Sequence, residues 1–450
     1  MSRLLLLGLL IGTALGLTCE RICAPLCTSL PCMEACSAAC SEVPYTPRRR
    51  NAEFKITKLF ELPPGEKITG GDAPSYPPNS DYYFTTLSGK VYLYVSDSSQ
   101  PLQILYQVPV MDVSEGKGLY SIAVDRDYAR NNKLYLFYAR PLGTGDKSEH
   151  LIQNQNNPNL YTRLGIDHLS VVEEFIRPVH ELVPTQILKK LEQYDNRSVG
   201  NWLGAFAPEF GSTGYGNRLL FATGGNPLED RLLAMFGSHL SSLRYIVPDR
   251  KDLPERVWAS SIQTPLVCST PNTRVGVVRC IVEMHGTDCY VNGTGLYRFK
   301  EGGNYGSKDF VEFCGIGLPC QPRYESILNR EAILTFPNTS CPVRWVHVYS
   351  GWELRKYYGR VLLTQDSCFD SRTRQFTEAQ ILYVDYNAGR LDSWSATPLS
   401  LELDFRYLVD TKLLGADSHN TLMLSGISLK TGNTVVQRVK TNPSKYRSFR

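Results

Sequence analysis

The chain has 450 residues, 48 Lys and Arg against 44 Asp and Glu, and a formal net charge of +4 at pH 7. So small a surplus, spread along that length, argues against a nucleic-acid partner and against a basic membrane-binding surface. The length allows a sizeable core, held either in two or three domains or in one large domain of repeated sheets.

Residues 1–16 read as a secretory signal peptide. Met1, Ser2 and Arg3 precede the apolar run from Leu4 to Leu17, and small residues Ala14 and Gly16 stand near its end. The run is too short to span a bilayer, and no later segment offers about 20 apolar residues, so a secreted, extracellular protein with no membrane span is expected. Thirteen cysteines and the sequons at Asn196, Asn292 and Asn338 agree with that route.

Residues 17–41 hold six cysteines: Cys19, Cys23, Cys27, Cys32, Cys36 and Cys40. Each set of three is spaced by four, which puts its members on one face of a helix, and Thr28-Ser29-Leu30-Pro31 supplies a turn between the sets. The spacing is mirror-symmetric, so of the 15 possible pairings the expected one is a ladder of Cys19–Cys40, Cys23–Cys36 and Cys27–Cys32. Pro25 interrupts the first helix, and a thiolate metal cluster is the competing reading, which a secretory compartment disfavours. This disulfide-stapled helical hairpin would be either a stabilising cap or a partner-binding knob. Residues 42–53, with Pro44, Pro47 and Arg48-Arg49-Arg50, read as an exposed linker with a basic triplet that a furin-like protease could cut.

From 54 to 435 the pattern changes to short runs of Tyr, Val, Leu and Phe, among them Lys90–Val95, Lys133–Tyr138, Arg218–Ala222 and Arg360–Thr364, separated by Gly, Asn, Asp, Ser and Pro. These predict an all-β, antiparallel body. A short surface helix is expected at Pro184–Tyr194, where Leu188 and Leu191 stand among charges. Seven more cysteines lie between Cys268 and Cys368; at least two disulfides are expected there, with Cys268–Cys280 and Cys314–Cys320 the nearest candidates, and one thiol left over. Residues 436–450 read as a basic tail.

Six segments carry a resemblance. They are Glu115–Tyr138, Val171–Ile176, Asn201–Phe210, Asn217–Gly225, Glu301–Gly306 (Glu-Gly-Gly-Asn-Tyr-Gly) and Val348–Leu362. In this order they resemble the glucose/sorbosone dehydrogenase family, soluble quinoproteins that include members like hedgehog-interacting protein. The resemblance implies a six-bladed β-propeller over 54–435. It also implies a site for pyrroloquinoline quinone and calcium, with a histidine base that takes the substrate's hydroxyl proton.

The sequence departs from the family where that chemistry resides. Val199 occupies the position of the histidine base, with Asn201 following, and Gln263 and Thr264 replace an arginine–asparagine pair. Neither Val199 nor Gln263 can replace the titratable or charge-assisted group. Lys117, beside the family's polar residue before the Gly-Leu segment, could offer a cation to the axial site. The seven histidines show no metal-binding spacing, and Asp125 and Asp127 are too few acids to define a calcium loop. The expectation is therefore a catalytically silent propeller that needs no cofactor and binds an extracellular protein or glycan, with Glu229 and Asp230 marking the candidate partner loop. The alternative is a pyrroloquinoline quinone-dependent sugar or alcohol dehydrogenase.

Overall fold

The computed structural model describes residues 35–36, 38–39, 54–74, 81–95, 101–114, 117–125, 127–154, 157–178, 181–193, 202–206, 218–223, 242–250, 253, 255–260, 266–268, 289–292, 295–298, 303–304, 332–335, 341, 343–349, 354–357, 360–370, 373–386, 394–398, 401–402, 407–416 and 422–441. These residues are overwhelmingly strand. The chain divides into two compact units, one of residues 1–67, 337–414 and 420–450, the other of residues 68–336 and 415–419.

In the first unit, β1 (Phe54–Glu61) belongs to a sheet formed mostly by the other end of the chain. In the second, β2 (Ile68–Asp72), β3 (Asp81–Thr86), β4 (Lys90–Val95) and β5 (Leu102–Gln107) form an antiparallel meander. Next come β6 (Leu119–Val124), the short helix α1 (Tyr128–Asn131), β7 (Lys133–Pro141), a separate two-stranded ribbon of β8 (Glu149–Asn154) and β9 (Asn157–Gly165), then β10 (His168–Ile176) and β11 (Val183–Gln193). The sheet order is β11-β10-β7-β6. The following sheets are β12 (Trp202–Phe206), β13 (Arg218–Thr223), β14 (Ser242–Ile246) and β15 (Arg256–Ser260), then β16 (Leu266–Cys268), β17 (Cys289–Asn292) and β18 (Gly295–Arg298). The two-residue β19 (Gly303–Asn304) adds in parallel to β15, and β20 (Ala332–Thr335) completes the β16–β18 sheet.

Back in the first unit, β21 (Val343–Val348), β22 (Val361–Gln365), β25 (Gln380–Tyr386) and β26 (Trp394–Pro398) form the next sheet, interrupted by the ribbon of β23 (Phe369–Asp370) and β24 (Gln375–Phe376). The last sheet contains β27 (Leu401–Glu402), β28 (Leu408–Ala416), β29 (Leu422–Ser428) and β30 (Thr434–Thr441) in the order β27-β1-β30-β29-β28. β30 continues six residues beyond 435 and pairs antiparallel with β1 from Phe54↔Thr441 to Glu61↔Val435.

The strand runs hold because both faces of the inner sheets are buried. β7 shows this most clearly: Leu134, Leu136 and Tyr138 join one apolar cluster with Tyr83, Val91 and Leu93, while Tyr135, Phe137 and Ala139 join another with Leu219 and Phe221. Period-two alternation therefore sends successive side chains into two different cores, which is why the run carries no polar stripe. Phe137 is fully buried, and truncating such a ring to alanine costs about 3–5 kcal/mol.

The helix expected at Pro184–Tyr194 is corrected to strand over Pro184–Gln193. β11 pairs with β10 from His168↔Gln193 to Ile176↔Val183, with register irregularities opposite Val172/Glu173 and Glu174/Phe175. Each irregularity breaks the period-two pattern, and the result imitates helical spacing in sequence.

Of the N-terminal cysteines, Cys36 is described. It is disulfide-bonded and fully buried against Phe376 and Leu429, with Phe369, Tyr407 and Val409 around them. Ala35, Cys36, Ala38 and Ala39 have helical backbone, and Cys19, Cys23, Cys27, Cys32 and Cys40 lie outside the described residues. A second bridge joins Cys341 to Cys368, across a separation of 27 residues.

Candidate functional site

A buried acid–base cluster forms at one end of the β6-β7-β10-β11 sheet. β6 and β10 both run antiparallel to β7, so the residues just before each of them come to the same end. Before β6 stands Lys117; before β10 stand Ile166 and Asp167.

The β5–β6 connection fixes Lys117 closely. Asp112 N–H donates to the Ala139 carbonyl at 3.0 Å, and Lys117 N–H donates to the Ser114 carbonyl at 2.9 Å. The Asp112 carboxylate accepts from Ser114 N–H at 2.9 Å and from Ser114 Oγ at 2.6 Å. Gly118 follows with φ +154, and a Cβ there would stand 2.2 Å from the Leu87 carbonyl oxygen. Glycine is required at this close approach of two backbones.

Lys117 Nζ donates to Asp112 Oδ2 at 2.9 Å and to Ser114 Oγ at 3.2 Å, and lies 2.8 Å from Asp167 Oδ2. The lysine is 3% exposed, while Asp112 and Asp167 are 18% and 28% exposed. Asp167 is held in turn by its N–H bond to the Gln193 carbonyl and by His168 Nδ1, 2.9 Å from Oδ2. With Asp167 ionised, Nδ1 carries the proton and donates; Nε2 is then a buried lone pair with no hydrogen-bond partner among the described residues.

Electrostatics keeps this arrangement ionised. Burial opposes charge on Asp112, yet the Ser114 hydrogen bonds and Lys117 outweigh it and bring the carboxyl down to about 2. Burial likewise opposes charge on Lys117 and Asp167, but their mutual bond prevails, raising the ammonium and lowering the carboxyl. His168 is lowered, first by burial and also by Lys117, against the pull of Asp167. At neutral pH the cluster thus holds two carboxylates, one ammonium and a neutral imidazole. Its partly exposed carboxylate edges are rigid hydrogen-bond acceptors, suited to receive hydroxyl protons.

Of the sequence-predicted positions, Lys117 belongs to this cluster. Val199, Asn201, Gln263, Thr264, Glu229, Asp230, Asn196 and Asn338 lie outside the described residues. Asn292 ends β17 and pairs in register with Gly295. The Asp125 carboxylate is engaged structurally: it accepts from Tyr135 Oη at 2.6 Å, Asn131 Nδ2 at 3.1 Å and Asp127 N–H at 2.8 Å around α1. Among the described residues no group of three or more His, Cys, Asp or Glu could hold a metal ion. No helix among them is long and apolar enough to cross a membrane.

Sequence reasoning missed Asp112, Asp167 and His168. The Asp112-Val113-Ser114 spacing of an Asx turn was available as a local signal. Nothing in the sequence ties it to an Asp-His pair more than fifty residues on.

The sheet order and this cluster belong to a chain with the fold of the soluble sugar dehydrogenases, β-propeller proteins. Neither a family model nor a curated protein sequence matches the chain. Solved structures match it along nearly their whole length. A glucose dehydrogenase-type oxidoreductase from Thermus thermophilus has 14% identity and a TM-score of 0.53, over 86% of this chain and 99% of its own. The soluble aldose sugar dehydrogenase of Escherichia coli has 13% identity and a TM-score of 0.53, over 86% and 100%. The aldose sugar dehydrogenase of Streptomyces coelicolor, in a form bound to pyrroloquinoline quinone, has 14% identity and a TM-score of 0.52, over 88% and 100%. At such identity the likeness is one of fold.

The Lys117 cluster itself is not a site for that quinone: pyrroloquinoline quinone is a tricarboxylate, whereas Lys117 is already neutralised by Asp112 and Asp167. The positions that match the family's base and anion contacts, Val199, Gln263 and Thr264, lie outside the described residues.

Proposed function

We propose that this protein is a secreted oxidoreductase of sugars or related alcohols, built on a six-bladed propeller. The observation that carries this reading is the end-to-end correspondence with sugar dehydrogenases, whose chains are covered to 99–100%. The sheet series supports six blades: each blade would hold four consecutive antiparallel strands, with β1 completing the last. Secretion is supported by the leader, by the Cys341–Cys368 bridge and by the bonded state of Cys36. In this reading the substrate's hydroxyls donate to the remaining lone pairs of the Asp112 and Asp167 carboxylates, which Lys117 holds in place.

A second reading, favoured by Val199, Gln263 and Thr264 at the family's chemical positions, keeps the ligand and drops the turnover. The protein then binds an extracellular glycan or protein and needs no cofactor.

One experiment separates the two. The purified full chain is assayed for dye-linked oxidation of an aldose and polyol panel, with and without pyrroloquinoline quinone and calcium, alongside calorimetric titration of the same sugars. Turnover supports the oxidoreductase; sugar binding without turnover supports the second reading. Absence of both removes the sugar assignment.

A further inference from the structure

The connection from β5 to β6 carries Asp112, Ser114 and Lys117, and both of its ends are set against the tight turn between β3 and β4. That turn closes through Gly89 N–H, which donates to the Thr86 carbonyl at 2.9 Å. At the β6 end, Leu119 N–H donates to the Leu87 carbonyl at 3.4 Å, and the approach of Leu87 leaves Gly118 no room for a Cβ. At the β5 end, Val108 N–H donates to the Gly89 carbonyl at 3.0 Å and Gln107 Nε2 to the Ser88 carbonyl at 2.9 Å. Met111 completes this end: a Cβ at Gly89 would stand 2.6 Å from its Cε and 3.2 Å from its Sδ.

Met111 is thus the side chain that seats the connection on the turn. It packs, partly buried, against the apolar cluster that includes Leu119, Leu136 and Tyr138. The next residue, Asp112, is anchored to the Ala139 carbonyl and grips Lys117. The thioether lies tight against glycine while the residue keeps partial exposure, whereas Met423 is only 1% exposed. A peroxide reaching Met111 would transfer one oxygen to sulfur: the sulfur loses two electrons, the peroxide O–O bond breaks, and hydrogen peroxide leaves as water. The sulfoxide oxygen then needs both space and a hydrogen-bond donor, at a place where Cε and Sδ already abut Gly89.

We propose that Met111 is an oxidation site through which a peroxide unseats the Asp112–Lys117–Asp167 cluster, and that reduction of the sulfoxide restores it. The proposal concerns the geometry of the cluster and is independent of what the cluster binds.

The test exposes the folded full-length protein to dilute hydrogen peroxide for increasing times, then pulses it with an amine-acylating reagent at neutral pH. Chymotryptic cleavage after Tyr106 and Leu119 places Met111 and Lys117 on one peptide, in which Lys117 is the sole lysine, so mass spectrometry reads both modifications on the same molecule. Met111 should oxidise ahead of Met423. Lys117, 3% exposed in the intact cluster, should be acylated about tenfold or more faster on peptides that carry the sulfoxide than on unoxidised peptides of the same sample. Methionine sulfoxide reductases should return Lys117 to its protected state. Met111→Leu should keep Lys117 protected throughout the peroxide course, and the comparison within the wild-type sample stands by itself if that variant fails to fold. Oxidation of Met111 no faster than that of Met423, or equal acylation of Lys117 on oxidised and unoxidised peptides, overturns the proposal.

Discussion

Replacing Lys117 by methionine keeps most of the aliphatic stem and removes the charge that Asp112 and Asp167 share. Cutting one partner from a buried ion pair costs about 3–5 kcal/mol, because the charge left behind has lost both its partner and its water. Here the stranded groups are the carboxylates, 18% and 28% exposed, and water recovers part of the loss, so the expected cost is about 2–3 kcal/mol. Equilibrium urea unfolding should register it as a lower midpoint at unchanged slope. A cycle with Asp167→Asn tests the cause: the two substitutions share one bond, and their effects should fall short of additivity by about 1 kcal/mol or more. A loss below about 0.5 kcal/mol, or strict additivity, would mean that Lys117 is a solvated side chain and that the cluster has no fixed geometry.

Three further outcomes are expected. His168 is held neutral in the folded state, so the unfolded chain takes up the proton first and stability should decline as pH falls below about 6.5. Burial pushes His347 down to about 4, which adds a decline of the same sign between about pH 6.5 and that value; unfolding midpoints from pH 7.5 to 4.5 should show a slope that His168→Asn and His347→Asn each reduce. Gly118→Ala should cost on the order of 3 kcal/mol, since the new Cβ would sit 2.2 Å from a carbonyl oxygen, whereas Gly145→Ala, with φ +93 and open space, should cost only about 1 kcal/mol; equal losses in thermal melts would contradict the contact. Register sets Cys268 directly opposite Cys289, and opposed residues of an antiparallel pair have Cα atoms about 4.5–5.5 Å apart, within disulfide range. Non-reduced peptide mapping should accordingly join Cys268 to Cys289 rather than to Cys280.

Much of the strand content was legible because apolar β-formers dominate runs such as Lys90–Val95 and Lys133–Pro141, where two buried faces admit few polar residues. β11 was not, since two register irregularities turn its alternation into something that resembles a helix. At the site, Lys117 could be singled out from the segment around Gly118, but its partners could not. Asp112 and Asp167 meet only because β6 and β10 run in the same direction beside β7, a fact of pairing that no local window contains. The Asp125 pair illustrates the reverse: two acids near each other in sequence suggest a cation, while in the fold Tyr135, Asn131 and the Asp127 amide occupy Asp125.

The pairing of β1 with β30 also governs how the molecule is made. β1 finds its antiparallel partner only about 370 residues further along the chain, in Thr434–Thr441. Until then Phe54 and Ile56, both fully buried in the finished protein, have no antiparallel neighbour on that side, an exposed strand edge prone to wrong pairing. A truncation just before Thr434 would thus remove, of the strands, β30 alone and leave β1 with an open antiparallel edge in an otherwise intact strand series.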